Sequence, residues 1–171
     1  MVEKISYDVL KKIDDLEIRK YPEILLAVVK DHDDDSAFGL LFNYISGENK
    51  TQKKIKMTAP VISSEKIQMT APVISQKNYM AFAVPSYYNM ENVPKPTNPK
   101  VNIEIQPKKT VAVLRFSGYS TSNNIEKNTK KLLTQIKTNK LKTKGEPYLM
   151  RYNSPFAPGF IRRNEVAIEI I

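Results

Sequence analysis

The chain's one histidine, His32, stands inside the run Asp31-His32-Asp33-Asp34-Asp35, a dense grouping of potential metal donors. Two chemistries fit those residue types. An imidazole among four carboxylates could ligate a metal, or the carboxylates could hold a divalent cation weakly. The run lacks the Gly and the terminal Glu of a calcium loop. It also falls just before an apolar-periodic segment, where side-chain oxygens cap a helix and negative charge meets its positive end. Helix capping therefore explains the carboxylates, and His32 becomes an exposed loop imidazole unless a ligand recruits it. Cysteine is absent. Disulfides, iron–sulfur clusters, thiolate-held haem and thioether attachment are excluded. Neither a nucleophile beside a base nor paired carboxylates can be picked out, so a binding protein is expected rather than an enzyme.

The net charge of +9 raises the question of nucleic acid. Of 27 basic residues, only Arg19, Arg115, Arg151, Arg162 and Arg163 are arginines, whereas arginine dominates base readout. No helix-turn-helix, zinc-finger or RNP signature is present. A lysine-rich solvated surface is the expectation, with an anionic small ligand as the partner that would exploit it. The N-terminal segment is too charged for a signal peptide, and no apolar run reaches the roughly 20 residues of a membrane span. A cytoplasmic monomer is expected.

These residues must be placed by the elements around them. Leu16 to Lys30 reads as a strand pair broken at Pro22, and the continuous apolar run Ile24 to Val29 predicts burial on both faces. Phe38, Leu41, Phe42 and Ile45 recur at helical spacing, which predicts a helix that stops near Gly47 and buries Phe38, Leu41 and Ile45. IKMTAPVIS (Ile55 to Ser63) is then almost copied by IQMTAPVIS (Ile67 to Ser75). Alternation puts Ile, Met, Ala and Val of each copy on one strand face and Thr58 or Thr70 on the other. Pro60 and Pro72 each remove a ladder donor, so bulges or edges are expected there, and Met57 and Met69 are read as core. Asn78 to Pro85 is a third strand, and Ser86 to Lys100 is a crossing loop. The second half repeats the order. It has strands at Val101 to Ile105 and Thr110 to Phe116, then a helix with Ile125, Thr129, Leu132, Leu133 and Ile136 inward. Strands near Tyr148 to Tyr152 and Glu165 to Ile171 close it. Between those last two lies the loop Ser154 to Arg163. The expected architecture is α+β, a distorted mixed β-barrel flanked by two helices. It would be one domain over 1–171, with βαββ-like halves at about 16–85 and 101–171.

Several separated stretches resemble the SOUL/haem-binding protein family. AFGLLFNYISGENK (Ala37 to Lys50) is similar to its first-helix pattern, and the two MTAPV copies are its most specific signature. FAVPSYY (Phe82 to Tyr88), VPKP (Val93 to Pro96), VAVLRFSG (Val111 to Gly118) and RYNSPFAPGFIRRNEVAIEI (Arg151 to Ile170) match further along. Pro155-Phe156 and Gly159 depart from the more usual P-P-W and P-P-F forms of the loop. The resemblance implies non-covalent binding of haem or another tetrapyrrole, as carrier or buffer, in an apolar groove between the first helix and loop 154–163. A flat macrocycle needs broad apolar walls and cations near its rim carboxylates. The wall candidates are Leu40, Phe42, Tyr44, Phe156 and Phe160. The propionate partners would be Lys50, Lys53, Lys54, Arg162 and Arg163. His32 is the candidate axial iron ligand, and its acidic neighbours favour the exposed-loop reading instead. The competing class is a small-molecule effector-binding module of the regulator type, suggested by fold analogy.

Overall fold

The computed structural model describes residues 2–51 and 64–171. In chain order the elements are β1 (Glu3–Lys4), β2 (Asp8–Ile13), β3 (Leu16–Tyr21), β4 (Ile24–Lys30), α1 (Asp34–Ser46), β5 (Asn49–Lys50), β6 (Thr70–Gln76) and β7 (Tyr79–Ala83). There follow β8 (Lys95–Pro96), β9 (Asn102–Gln106), β10 (Lys109–Phe116), α2 (Ser122–Thr138), β11 (Thr143–Arg151), a one-turn 3-10 helix (Gly159–Ile161) and β12 (Asn164–Ile170).

The main sheet runs β2-β3-β10-β12-β11-β6-β7-β4-β9, with β1 added in parallel to β6. Its logic is that of an exchange. In the first half β4 pairs with β7 and β7 with β6, while α1 bridges β4 and β6. In the second, β10 pairs with β12 and β12 with β11, while α2 bridges β10 and β11. The halves meet at β6 and β11, where Val73, Ile74 and Ser75 face Arg151, Met150 and Leu149. Each half also lends its first strand to the other: β3 pairs with β10, and β9 with β4.

Strand alternation divides the core into three parts. Ala27 and Val29 turn towards α1, packing with Ala37, Leu41, Tyr44, Ile45 and Phe82. Leu16, Ala112, Leu114, Val166 and Ile168 lie under Leu132 and Ile136 of α2. The alternate residues Leu26, Val28, Ala81, Val111, Val113 and Ala167 meet in one cluster on the opposite face. Strands from both halves share that cluster, so the sheet curls around it. The run from residue 24 to 29 is thus apolar because both of its faces are covered.

The expected barrel is corrected in one respect: among the described residues no pairing joins β2 to β9, so the curled sheet is not closed. The β2 edge explains why. Its residues are largely exposed, it carries Lys11 and Lys12, and its register shifts between Val9 and Lys11. Charge and a bulge discourage further pairing at an edge. On α2, Leu133 turns out of the expected inner stripe and is 41% exposed.

The inner cluster also holds a charged group. Glu165, fully buried, accepts from Arg19 Nη1 and Nη2 at 2.7 and 3.0 Å, and from Arg163 Nη2 at 2.7 Å. Arg19 also reaches Glu17 at 2.8 Å and the Tyr21 hydroxyl at 3.1 Å. Burial works against the Arg19 charge, yet the bonds and charge of Glu165 outweigh it and hold its pKa above the ordinary guanidinium range. Removing one partner of such a pair leaves a dehydrated charge behind. Glu165→Leu should therefore lower the unfolding free energy by about 3–5 kcal/mol in urea melts. A loss below about 1 kcal/mol would show that water reaches the two arginines.

Candidate ligand groove

Helix α1 starts as its sequence dictates. Asp33 caps it, accepting the Ser36 amide at 2.9 Å and the Ser36 hydroxyl at 2.9 Å. The Ser36 backbone bond, then the hydroxyl, hold the Asp33 carboxyl below its usual range. At the other end Gly47 takes φ 128° and the Glu48 amide donates to Asn43 O at 2.9 Å. Asn49 then ties the exit down, donating to Tyr44 O and Glu65 O and accepting from the Glu65 amide, all within 2.9 Å.

The helix carries two stripes. Ala37, Leu41, Tyr44 and Ile45 are buried in the core. Asp35, Phe38 and Phe42 lie on the neighbouring stripe and form one wall of a groove of about 770 Å³. Its floor is the second MTAPV copy (Met69, Thr70, Ala71 and Val73) together with Met80 of β7. The opposite wall is Arg151, Tyr152, Asn153, Ser154, Pro155 and Phe156, with Val2 and Asp34 completing the lining. Phe38 joins core to groove, its ring edge-on to Phe82 at 5.4 Å and stacked on Phe42 at 6.1 Å. The register of β6 slips between Thr70 and Val73, around the Ala71–Pro72 peptide, as a proline inside a paired strand requires. Thr70 Oγ1 is buried there with no hydrogen-bond partner among the described residues.

Loop length separates this groove from its counterpart in the other half. A second hollow of about 400 Å³ lies between Ile125 and Thr129 of α2, Leu149 and Val166. There the strand–strand connection is only Lys77 and Asn78, whereas residues 152–163 connect β11 to β12. The long connection builds the deeper wall.

That wall is braced rather than loose. The Arg163 amide donates to Asn153 Oδ1 at 2.7 Å and the Tyr152 amide to Arg163 O at 3.2 Å. Gly159 sits against the Tyr119 ring: a side-chain Cβ there would fall 2.7 Å from Tyr119 Cε2. Burial, then the Glu165 charge, push the Tyr152 phenol well above its usual range, so it stays neutral.

Among the residues expected from sequence, Phe42 and Phe156 line the groove, Phe42 half exposed and Phe156 overhanging the mouth at 96% exposure. Tyr44 does not. It is buried on the core stripe and donates to Pro94 O at 2.7 Å, and burial, then the Glu65 charge, push its pKa up. Leu40 is half-buried against the α1 core, and Phe160 stands 83% exposed outside the lining. Lys50 is exposed on β5 opposite Lys95, and Lys53 and Lys54 lie outside the described residues. Arg162 braces the loop, donating to Ala157 O at 2.7 Å and to Pro155 O. Arg163 is committed to Glu165 and to the Tyr7 hydroxyl at 2.9 Å, its guanidinium stacked 4.0 Å over Tyr152. His32 is not in the lining, and its Nδ1 lies 2.8 Å from Lys30 O.

Among the described residues the cation in the groove lining is Arg151, which sequence reasoning missed because it sits at a strand end with no periodicity to mark it. Its Nη2 lies 3.4 Å from Asp34 Oδ2 and its Nε 3.3 Å from Ser120 Oγ. Met69 and Met80 were hidden differently, since an inward residue of a strand reads as core whether it meets protein or ligand.

A curled sheet with an apolar, cation-edged groove beside one helix has the size and lining of a small-molecule pocket. The sequence profile of the SOUL heme-binding protein family matches residues 2–169, and the chain belongs to that family. Heme-binding protein 2 of Mus musculus is 31% identical over 172 residues, covering 90% of this chain and 80% of its own length. The Homo sapiens protein of that name is 33% identical over 135 residues, 74% of this chain and 63% of its own length. Among solved structures, the C-terminal domain of EcmrR superposes with a TM-score of 0.61 at 12% identity, covering 96% of this chain and 98% of the other. A hydrolase from Listeria innocua gives 0.57 at 10% identity, over 95% and 94%. These two likenesses concern the fold alone.

Gly159→Val should lift the loop from Tyr119 without touching the core. Tryptic cleavage at Arg162 is then expected to quicken several-fold, while Arg163 stays on Glu165 and the melting temperature changes little. Unchanged cleavage would mean that the Tyr119 seat does not hold the wall.

Proposed function

We propose that this chain is a non-covalent haem or tetrapyrrole carrier or buffer whose macrocycle lies in the groove between α1 and residues 151–156. The observation that carries the reading is the lining itself. Phe38, Phe42, Met69, Val73 and Met80 offer apolar faces, and Arg151 stands at the edge where a rim carboxylate would come to rest. The volume falls within the roughly 300–1,000 Å³ of small-molecule sites. Family membership and the named relatives point the same way. In this reading the chain acts as a cytoplasmic monomer.

The donors fit a porphyrin's faces and one carboxylate better than they fit its iron. No histidine lines the groove, and among the described residues its metal donors are the Met69 and Met80 thioethers, the neutral Tyr152 phenol and the Asp34 and Asp35 carboxylates at the mouth. Haem would supply a large apolar disc with an anionic edge. This chain's residues hold the disc by stacking and shield it from water, while Arg151 orients the edge. Asp34 and Asp35, on the α1 side of the mouth, favour a second reading, an amphipathic cation held as in a regulator's effector module. The deeper carboxylate, Glu165, is already committed to two arginines and offers such a cation nothing.

Titration followed at the Soret band should saturate at about one haem per chain in the micromolar range or tighter, on the order of −8 kcal/mol. Iron-free protoporphyrin should bind within about tenfold of haem, and His32→Ala should leave the affinity nearly intact. Phe156→Ser should weaken binding about tenfold to hundredfold, the loss of roughly 1.5–3 kcal/mol of apolar contact. A linear, unsaturating rise would refute the reading. A cationic dye that saturates where haem does not would assign the groove to the second.

A further inference from the structure

The loop that walls the groove also carries apolar surface that the groove does not use. Phe160 and Ile161 are 83% and 54% exposed, and Tyr119 beside them is 56% exposed. Their backbone is braced. The Gly159 carbonyl accepts from the Gly118 amide at 3.0 Å and the Arg162 amide at 3.1 Å, and the Ile161 amide donates to Pro158 O at 3.1 Å. A rigid one-turn helix therefore projects these side chains into water, and grouped apolar exposure of this kind marks a surface that becomes buried.

Charge says against what. From Asn153 to Asn164 there is no Asp or Glu, and there are two arginines. Glu165 neutralises Arg163. Arg162, by contrast, bonds only to the neutral carbonyls of Pro155 and Ala157 in this loop and stacks 4.6 Å over Tyr119, so those contacts leave its charge uncompensated. The chain as a whole carries +9. Aromatic and aliphatic side chains beside a guanidinium suit the boundary between acyl chains and anionic headgroups. A handful of tip residues falls far short of the roughly 20–30 residues a side of a stable protein interface.

We propose that this tip docks the chain on an anionic lipid bilayer, with Phe160 and Ile161 at the acyl boundary and Arg162 among the phosphates. Phe156, in the same loop, then brings the groove's mouth to a surface into which amphipathic macrocycles partition. That last consequence rests on the proposed function; the docking does not.

Flotation of the full chain with phosphatidylcholine vesicles, with and without about 30% phosphatidylserine, tests the proposal at about 0.1 M salt. The chain should float with the anionic vesicles, and roughly tenfold less with the neutral ones. Phe160→Ser with Ile161→Ser should reduce flotation about tenfold or more, with haem titration in vesicle-free buffer and the melting temperature unchanged. The chain contains no tryptophan, so Phe160→Trp gives a single reporter whose emission should shift to the blue on anionic vesicles. Absent flotation, an unmoved tryptophan spectrum, or a double variant that floats like the parent overturns the proposal. So does a dimer that those two substitutions dissociate, since the tip would then belong to a second copy. Vesicle binding without haem saturation supports the docking and removes the haem reading.

Discussion

The buried carboxylate of Glu165 is the constraint on which the rest depends. It takes hydrogen bonds from Arg19 on β3 and from Arg163 at the end of the groove loop, two guanidiniums that the fold has removed from most of their water. Arg19 also stacks 4.1 Å over Tyr7, whose hydroxyl accepts from Arg163, so the N-terminal segment is bound into the same group. The strands it joins, β3 and β12, are separated by β10, and the loop's base returns to β11 through Tyr152. A displaced loop would therefore break a dehydrated ion pair, a cost of about 3–5 kcal/mol. The groove wall inherits its position from chemistry that no ligand touches.

Loop length then decides which half carries the larger groove. The halves share strand order and helix placement, and each helix has a hollow beside it. A two-residue turn at Lys77 and Asn78 leaves the hollow beside α2 shallow, and Ile125 and Thr129 stand where α1 presents Phe38 and Phe42. Residues 152–163 add a second wall on the other side, and Arg151, at the base of that wall, adds a charge.

Much of this was legible in the sequence because periodicity reports burial. From Leu16 onward the order of the main described strands, both helices, the doubly buried run from residue 24 to 29 and the proline-induced bulge at Thr70 to Val73 follow from spacing and residue type. β2 was not expected, and the strand expected at Ile55 to Ser63 lies outside the described residues. The open edge at β2 did not follow either, since closure depends on strand tilt and on what lies across the seam. Within the site, Phe42 and Phe156 were legible as apolar residues without a core role. Phe38 and Met69 were not, because a residue bordering both core and groove has the periodicity of core. Tyr44 errs the other way. Expected as a groove wall, it acts as a clasp, its buried hydroxyl donating to Pro94 O. Arg162 and Arg163 read as propionate partners because residue type alone does not show that Arg162 turns back onto the Pro155 and Ala157 carbonyls, or that Glu165, two residues on, is buried against Arg163.

The location of the groove's ligand is best tested by amide chemical-shift mapping with a diamagnetic metalloporphyrin, zinc protoporphyrin, added to the labelled chain. Perturbations should gather at Phe38 and Phe42 on α1, at Met69 to Val73 and Met80, and at Arg151 to Phe156. The opposite cleft, lined by Ile24, Leu25, Val84 and Ile105, should stay silent. Shifts gathered at that cleft or beside α2, with the α1 wall unmoved, would contradict the account.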